Sequence, residues 1–119
     1  LGVWYQVIDR SGDKGNYLES SCSTMFVYFL LKAIRMGYIS NEYMSVAEKG
    51  YNGILKNFIR ETDNGDINII QACAVAGLGG SNYRSGNYDY YINETIREND
   101  AKAVAPFIMA SLEWERLKR

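Results

Sequence analysis

The residues most suggestive of chemistry lie in the stretch QACAVAGLGGSNY, which runs from Gln71 to Tyr83. A glycine loop binds phosphate when its glycines lie between a strand and the first turn of a helix. Here Gly77, Gly79 and Gly80 are followed by SNYRSGNYDYY, a turn-rich aromatic segment, and by no Lys-Ser or Lys-Thr pair. The pattern therefore does not favour a nucleotide site. We expect these glycines to adopt positive φ or to allow close backbone contact, with no helix beginning in the next few residues.

The Asp and Glu side chains are the candidate acid–base groups, because the sequence contains no histidine. Any acid–base chemistry within this chain would depend on Asp and Glu side chains. Glu19 stands at the start of a predicted helix, where it could contact a ligand or cap the helix itself. Asp100 has the same two roles open at the last predicted helix.

The segment DRSGDKGNYLES, residues 9–20, begins like a calcium-binding loop. The sixth and twelfth positions of such a loop require Gly and Glu, and here they are Lys14 and Ser20. We therefore expect a solvated turn at this place and no metal site.

The two cysteines, Cys22 and Cys73, lie far apart in sequence, and we expect both to be buried and reduced. Cys22 lies on an apolar helix without a histidine partner, so its thiol is expected to be protonated and inert. The small residues around it predict either close packing of the helix or the floor of a pocket. Trp4 and Gln6 alternate along an extended segment, and an aromatic ring beside an amide suits a sugar site.

Length and composition restrict the classes of protein that remain. The chain has 119 residues, 47% apolar residues and a net charge of −1, which is typical of one folded domain or part of one. It has no basic stripe of the kind that binds nucleic acid. The longest uncharged apolar run, Ser20 to Leu31, is too short to span a membrane. No signal peptide is visible, so we expect a cytoplasmic location.

Hydrophobic periodicity and turn residues predict the elements that must position these groups. The first predicted helix is apolar on nearly all sides, the second on one side only, and a small hairpin precedes the third. The expected inward face of the third helix consists of Val104, Phe107, Ile108, Ser111 and Leu112. The predicted elements are an extended segment at 1–8, helices at 17–36 and from 40–41 to 58, strands at 67–75 and 88–96 around a loop at 77–86, and a helix from the cap at 99–100 to 117. Alternating inner and outer helices predict a two-layer helical ring.

Three segments of the sequence resemble one enzyme family. They are GVWYQV (2–7), NYLESSCSTMFVYFLLKAIRMGYI (16–39), and CAVAGLGG with YRSGNYDYY leading into NDAKAVAPFIMASLEWE. Together they resemble glycoside hydrolase family 105, the unsaturated rhamnogalacturonyl hydrolases, which are related to family 88. The resemblance implies a mainly α fold, part of an (α/α)6 toroid with a short β-hairpin. It implies that residues 1–119 are the C-terminal portion of a single catalytic domain.

The resemblance also implies a reaction. Family members remove an unsaturated uronic acid from the non-reducing end of pectin-derived oligosaccharides, and an aspartic acid protonates the vinyl ether double bond and helps add water. The family's catalytic aspartate, site histidines and Arg-Gly-Asn-Gly-Trp motif belong to a part of the chain before residue 2. We therefore expect no catalytic residue, metal or cofactor here, and an unsaturated uronic-acid oligosaccharide as partner. Substrate contacts are expected from Trp4, Gln6, Glu19, Gly79 and Gly80.

Two alternatives stay open. One is a family 88-type unsaturated glucuronyl hydrolase acting on glycosaminoglycan fragments. The other is a stand-alone, non-catalytic carbohydrate-binding or structural helical module, with tyrosines as a sugar platform. A complete module should cover the first helix on all sides, whereas an incomplete ring should leave an apolar face bare and prone to self-association.

Overall fold

A computed structural model describes all residues, 1–119, and consists mainly of helices. Its elements are α1 (Ser20–Arg35), a 3₁₀ turn (Asn41–Tyr43), α2 (Met44–Phe58), β1 (Ile59–Glu61), β2 (Ile67–Ile69), β3 (Ala72–Cys73), α3 (Tyr88–Asn93), β4 (Ile96–Arg97) and α4 (Ala101–Leu117). None of the helices combines the length and the apolar character that crossing a membrane requires.

The core forms where α1 packs against α4 and α2. Val27 and Leu31 of α1 are fully buried, as are Ile54 and Phe58 of α2 and Ala110 of α4. α2 is apolar on one side only, as the sequence predicts, with Glu48, Lys49 and Lys56 exposed on the other. The chain thus has an inner helix with an outer helix on one flank and a second long helix on the other.

The four strands are short and form two antiparallel pairs. β1 and β2 make a hairpin with Ile59 opposite Ile69. β3 pairs with β4, with Ala72 opposite Arg97. The predicted pairing of 67–75 with 88–96 is therefore only partly right.

The strand predicted at 88–96 is wrong for most of its length, because Tyr88–Asn93 is the helix α3. The side chain of Asn87 accepts a hydrogen bond from the Tyr90 amide at 2.8 Å, and Asp89 lies in the first turn. A good cap and an acidic first turn favour a helix over an extended segment that has no long partner strand.

α4 begins after its predicted cap, Asp100, and ends at the predicted Leu117, but its buried face differs from the prediction. Ile108 and Leu112 are each 53% exposed, while Ala103 and Ala110 are fully buried. Small side chains at these positions allow α4 to approach α1 closely, which turns the larger side chains outward.

One face of α1 is not covered by any other element. Met25 is 43% exposed, Phe26 39% and Phe29 59%. The spacing of these positions places them along one side of the helix. The sequence predicts burial on most sides of this helix, and this apolar stripe is the side that the chain leaves exposed.

A partly buried ion pair joins the C-terminal parts of α1 and α4, with the Glu113 side chain 4% exposed and the Arg35 side chain 31% exposed. Glu113 is 3% exposed and accepts hydrogen bonds from Arg35 through Nη2 at 3.1 Å and through Nε. Arg116 adds a contact at 3.0 Å. The hydrogen bonds from Arg35 lower the pKa of the Glu113 carboxyl below its usual value.

We expect Arg35→Ala to lower the free energy of unfolding by about 1.5–3 kcal/mol at pH 7, because a buried carboxylate loses its main partner. A carboxyl with a lowered folded pKa stabilises the protein above its unfolded pKa of about 4.3, and this contribution disappears as pH falls through the folded pKa. The difference between wild type and variant should therefore shrink in acid. Urea unfolding at several pH values measures it. Arg116→Ala is the control, since Arg116 is 56% exposed, and an equal effect of both variants would contradict the prediction.

Candidate functional site

The carboxylate of Glu19 is the most constrained polar group in the structure. Glu19 is 2% exposed and lies at the N-cap of α1. One oxygen accepts hydrogen bonds from the amide and hydroxyl of Ser21, at 3.1 and 2.8 Å, and from the Cys73 amide at 2.8 Å. The other oxygen accepts from the Cys22 amide at 2.7 Å.

All four partners of Glu19 are donors, which decides between its two predicted roles. An ionised carboxylate only accepts hydrogen bonds, and four donors match its capacity. Glu19 therefore caps α1 and joins β3 to it. In this arrangement both carboxylate oxygens face donors of the protein itself.

The backbone around Glu19 attaches the N-terminal segment to the same place. The Glu19 amide donates to the Trp4 carbonyl at 2.9 Å, and the Trp4 amide donates to the Ser23 hydroxyl at 3.0 Å. The Ser20 amide donates to the carbonyl of Gln71, a residue with φ of 63°. Positive φ is uncommon for residues with a side chain, and here it turns the chain into β3 beside α1.

A cleft of about 310 Å³ opens at this point, which we call the Glu19 cleft. It is lined by Gln6, Glu19, Ser21, Cys22, Cys73, Ala74, Val75, Ala76 and Lys102. The side-chain amide of Gln6 donates to the Cys73 sulfur at 3.3 Å and to the Tyr91 carbonyl at 3.5 Å. Two of the predicted substrate contacts, Gln6 and Glu19, are thus brought together.

Both cysteines face the Glu19 cleft, and both are free thiols. Cys73 is buried as predicted, whereas Cys22 is only partly buried. Cys22 lies on the cleft wall, which agrees with the pocket interpretation of this position. Burial, and then the charge of Glu19, raise the pKa of the Cys22 thiol to about 12. The thiol is therefore protonated at neutral pH, as its apolar helix predicts.

Lys102 is a cleft residue that the sequence interpretation missed. Its ammonium group donates to the Ala74 carbonyl and to the Asp100 carboxylate, each at 2.8 Å. Asp100 also accepts from the Lys102 amide at 3.0 Å, so it caps α4. Hydrogen bonds from Lys102 lower the pKa of Asp100 below its usual value. The signal that could have identified Lys102 is a cation two residues after a helix cap.

The glycine loop behaves as the sequence predicts. Gly79 and Gly80 have φ of 63° and 92°, and no helix begins before Tyr88. A Cβ atom on Gly77 would lie 2.3 Å from a guanidinium nitrogen of Arg84, so a side chain would displace Arg84. Arg84 in turn donates through Nε to the Gly79 carbonyl at 2.9 Å. The loop encloses an arginine of its own chain.

The structure does not gather all five predicted site residues in one place. Gly79 and Gly80 line a separate hollow with Ser81, Asn82 and Arg84. Trp4 packs edge-to-face against Phe26, with ring centroids 5.1 Å apart. It borders a third cavity, on the α2 side.

A helical scaffold with a cleft of about 310 Å³ at the start of its inner helix fits a helical carbohydrate-active enzyme. The sequence matches the family model described as Glycosyl Hydrolase Family 88 over residues 1–118. The chain therefore belongs to this family of glycoside hydrolases.

Solved structures agree with this assignment. A family 105 glycoside hydrolase from Clostridium acetobutylicum ATCC 824 superimposes with a TM-score of 0.92 and 48% identity, over 96% of this chain and 32% of that chain. A structure from Salmonella enterica, described as a possible member of the GH105 family, gives a TM-score of 0.76 and 26% identity, over 99% of this chain and 27% of that one. The resemblance to family 105 and the mainly α toroid fold are thus confirmed.

Two curated relatives are similar in sequence. They are Protein Atu3128 of Agrobacterium fabrum and the 24.9 kDa protein in the picA locus of Rhizobium radiobacter, each 39% identical over 124 residues. Each match covers 99% of this chain and 53% of the relative. The chain thus spans about half the length of these relatives, and 32% of the Clostridium structure.

We expect Glu19→Gln to lower the free energy of unfolding by about 2 kcal/mol or more, because an amide nitrogen would face a backbone donor and the charge-assisted bonds would be lost. Urea unfolding measures this loss. Glu115→Gln is the matched control, since Glu115 is exposed on α4. Equal stability of the two variants would show that Glu19 does not hold α1 and β3 together.

The raised pKa of Cys22 predicts slow alkylation. At pH 8, iodoacetamide should modify Cys22 more than about a hundredfold more slowly than a cysteine in a model peptide, whose pKa is about 8.5. Site-resolved mass spectrometry follows the reaction, and the rate at Cys22 should continue to rise beyond pH 10. A plateau below pH 9 would contradict the assigned environment.

Proposed function

We propose that residues 1–119 are the C-terminal portion of a single (α/α)6 catalytic domain, in an enzyme that removes unsaturated galacturonic acid from the non-reducing end of rhamnogalacturonan oligosaccharides by hydrating the vinyl ether. The observation that carries this proposal is the family match over residues 1–118, together with 48% identity to a family 105 enzyme.

The bare face of α1 supports a chain that is part of a larger ring. An inner helix of a complete ring is covered all round, whereas in this chain α4 and α2 pack against α1 and leave the stripe of Met25, Phe26 and Phe29 exposed. Phe29 is 59% exposed. Burying its side chain against a neighbouring helix would stabilise the folded domain by about 25 cal/mol per Å² of apolar surface. A complete stand-alone module should not leave this face uncovered, so the module alternative is weaker. Self-association through the same face stays a prediction.

Neither Glu19 in the cleft nor Asp100, which contacts the cleft residue Lys102, fits the role of general acid. Glu19 accepts four hydrogen bonds, and Asp100 is paired with Lys102. A general acid must present its carboxyl group to the substrate, and the carboxyl oxygens of Glu19 and Asp100 are instead occupied by hydrogen bonds within the protein. The proposal therefore assigns the catalytic aspartate to another part of the domain.

The proposed role of this chain is to form one wall of the substrate cleft. Gln6 has a polar group directed at the cleft, while Glu19 and Trp4 hold the backbone that forms it. Gly79 and Gly80 are proposed as contacts at the rim through their backbone. The cytoplasmic location also stays a prediction.

The proposed activity is tested in two assays, one with this chain alone and one with this chain co-expressed with the rest of a family 105 enzyme. The chain alone should not hydrate unsaturated galacturonyl-rhamnose, measured as loss of the ultraviolet absorbance of the conjugated double bond. Co-expression with the segment of the Clostridium enzyme that precedes its matched region should restore turnover. Robust turnover by the chain alone would contradict the proposal.

Two controls sharpen this experiment. Phe29→Asp introduces a charge into the bare face and should abolish complementation, whereas Tyr83→Asp, at an 80% exposed position elsewhere, should not. An unsaturated glucuronyl disaccharide from a glycosaminoglycan tests the family 88-type alternative. Faster turnover of that substrate would favour the alternative.

A further inference from the structure

The glycine loop holds an arginine that has no acidic partner. Arg84 follows Gly80 in this loop and forms no ion pair with any carboxylate. The other arginines that precede the last residue are each ion-paired, namely Arg10, Arg35, Arg60, Arg97 and Arg116. A guanidinium stays charged at any physiological pH. Arg84 therefore carries a positive charge that the chain itself does not neutralise.

The guanidinium of Arg84 is held in place by the backbone of the loop. Its Nε donates to the Gly79 carbonyl at 2.9 Å, and its Nη2 donates to the Leu78 carbonyl at 3.3 Å. Its Nη1 lies against Gly77, on the side where a side chain would displace it. Nη1 has no hydrogen-bond partner within the protein. A fixed guanidinium with a free donor loses little conformational entropy when it binds an anion.

A hollow of about 280 Å³ lies beside this guanidinium, and we call it the Arg84 hollow. No acidic residue lines it, and its lining consists of Gly79, Gly80, Ser81, Asn82 and Arg84. The backbone amides of Gly80, Ser81 and Asn82 donate to no group of the protein, and neither do the side chains of Ser81 and Asn82. Successive backbone amides in a turn form concave sites for anions. The hollow thus combines free donors with an unpaired cation.

The Glu19 cleft and the Arg84 hollow lie on the same loop but differ in charge. Ala76 lines the cleft and Gly79 lines the hollow, and three residues of chain span at most about 11 Å. The cleft contains the Glu19 carboxylate, and its only cation, Lys102, is already ion-paired. An acidic group on a ligand that reaches both places is therefore attracted to the hollow and not to the cleft.

We propose that the Arg84 hollow binds the carboxylate of an acidic sugar, with Nη1 of Arg84 donating to the carboxylate and with Ser81 and Asn82 contacting ring hydroxyls. The identity of the ligand as a sugar acid rests on the proposed function, whereas the preference for an anion rests on the hollow itself. Hydrogen bonds between a guanidinium and a carboxylate are among the stronger ones, so they distinguish a charged sugar from its neutral counterpart.

Proton–nitrogen correlation NMR on the 119-residue chain at low salt tests this assignment. Galacturonate should shift the amide signals of Gly80, Ser81 and Asn82, with a Kd in the millimolar range, and galactose should not shift them. Acetate and inorganic sulfate supply an anion without the sugar ring, and each should bind at least about fivefold more weakly than galacturonate. Equal affinity for galacturonate and either of these anions would overturn the assignment to a sugar acid.

Three variants separate binding at the hollow from the folding of the loop. Arg84→Gln removes the cation and should weaken galacturonate binding at least about tenfold. Because Arg84 also holds the loop, Ser81→Asp is the second variant, since it keeps Arg84 and places a competing carboxylate beside it. It should weaken binding about tenfold as well. Ser11→Asp makes the same change of charge at an exposed turn elsewhere and should leave binding unchanged.

The outcomes distinguish this site from the proposed reaction. Galacturonate binding that Arg84→Gln and Ser81→Asp leave unchanged would overturn the Arg84 hollow, and so would shifts confined to the Glu19 cleft. The hydration reaction is measured separately, as turnover in the co-expression assay. Absence of turnover together with galacturonate binding at Arg84 would contradict the proposed function and support the hollow as an anion site.

Discussion

The buried carboxylate of Glu19 is the interaction on which the arrangement of this chain depends. A buried charge is costly unless it is fully hydrogen-bonded, and Glu19 meets this requirement with donors from the first turn of α1 and from β3. Its backbone also bonds to the N-terminal segment through Trp4. Two segments thus meet at the Glu19 side chain, and a third is attached to its backbone. The cleft forms beside it because these segments converge there without filling the space between them.

The second constraint is the apolar face that α1 leaves bare. Met25, Phe26 and Phe29 are large apolar residues on a helix whose other sides form the core. Ordinary surface helices carry polar residues at such positions. This chain covers 32% of a family 105 structure and superimposes on it with a TM-score of 0.92. It therefore has the same local fold as the corresponding part of the larger structure. The interactions within this portion are therefore consistent with the fold of the whole ring, even though its apolar surface is incompletely covered.

Local signals predicted much of the fold. The helix cap at Asp100, the end of α4 and the positive φ of Gly79 and Gly80 all follow from residue types and short spacings. For Glu19 the sequence left two roles open, and α1 begins at Ser20 instead of the predicted residue 17. The errors arose where a distant contact competed with a local pattern. Alternation over 88–96 resembles a strand, but Asn87 caps a helix there and only Ile96–Arg97 finds a partner strand. The buried face of α4 was predicted incorrectly, because the close packing of α4 on α1 buries its alanines and leaves Ile108 and Leu112 exposed.

The sequence by itself determined the family, the helical class, the inert thiol of Cys22 and the absence of a helix after the glycine loop, since each follows from residue types and their patterns along the chain. Only the tertiary structure decided that Glu19 joins two segments, that Lys102 belongs to the cleft, and that Trp4 and the glycines lie outside it. The physical reason is that a cleft is made by the meeting of distant segments. Glu19 and Cys73 are 54 residues apart, and no local pattern encodes their hydrogen bond.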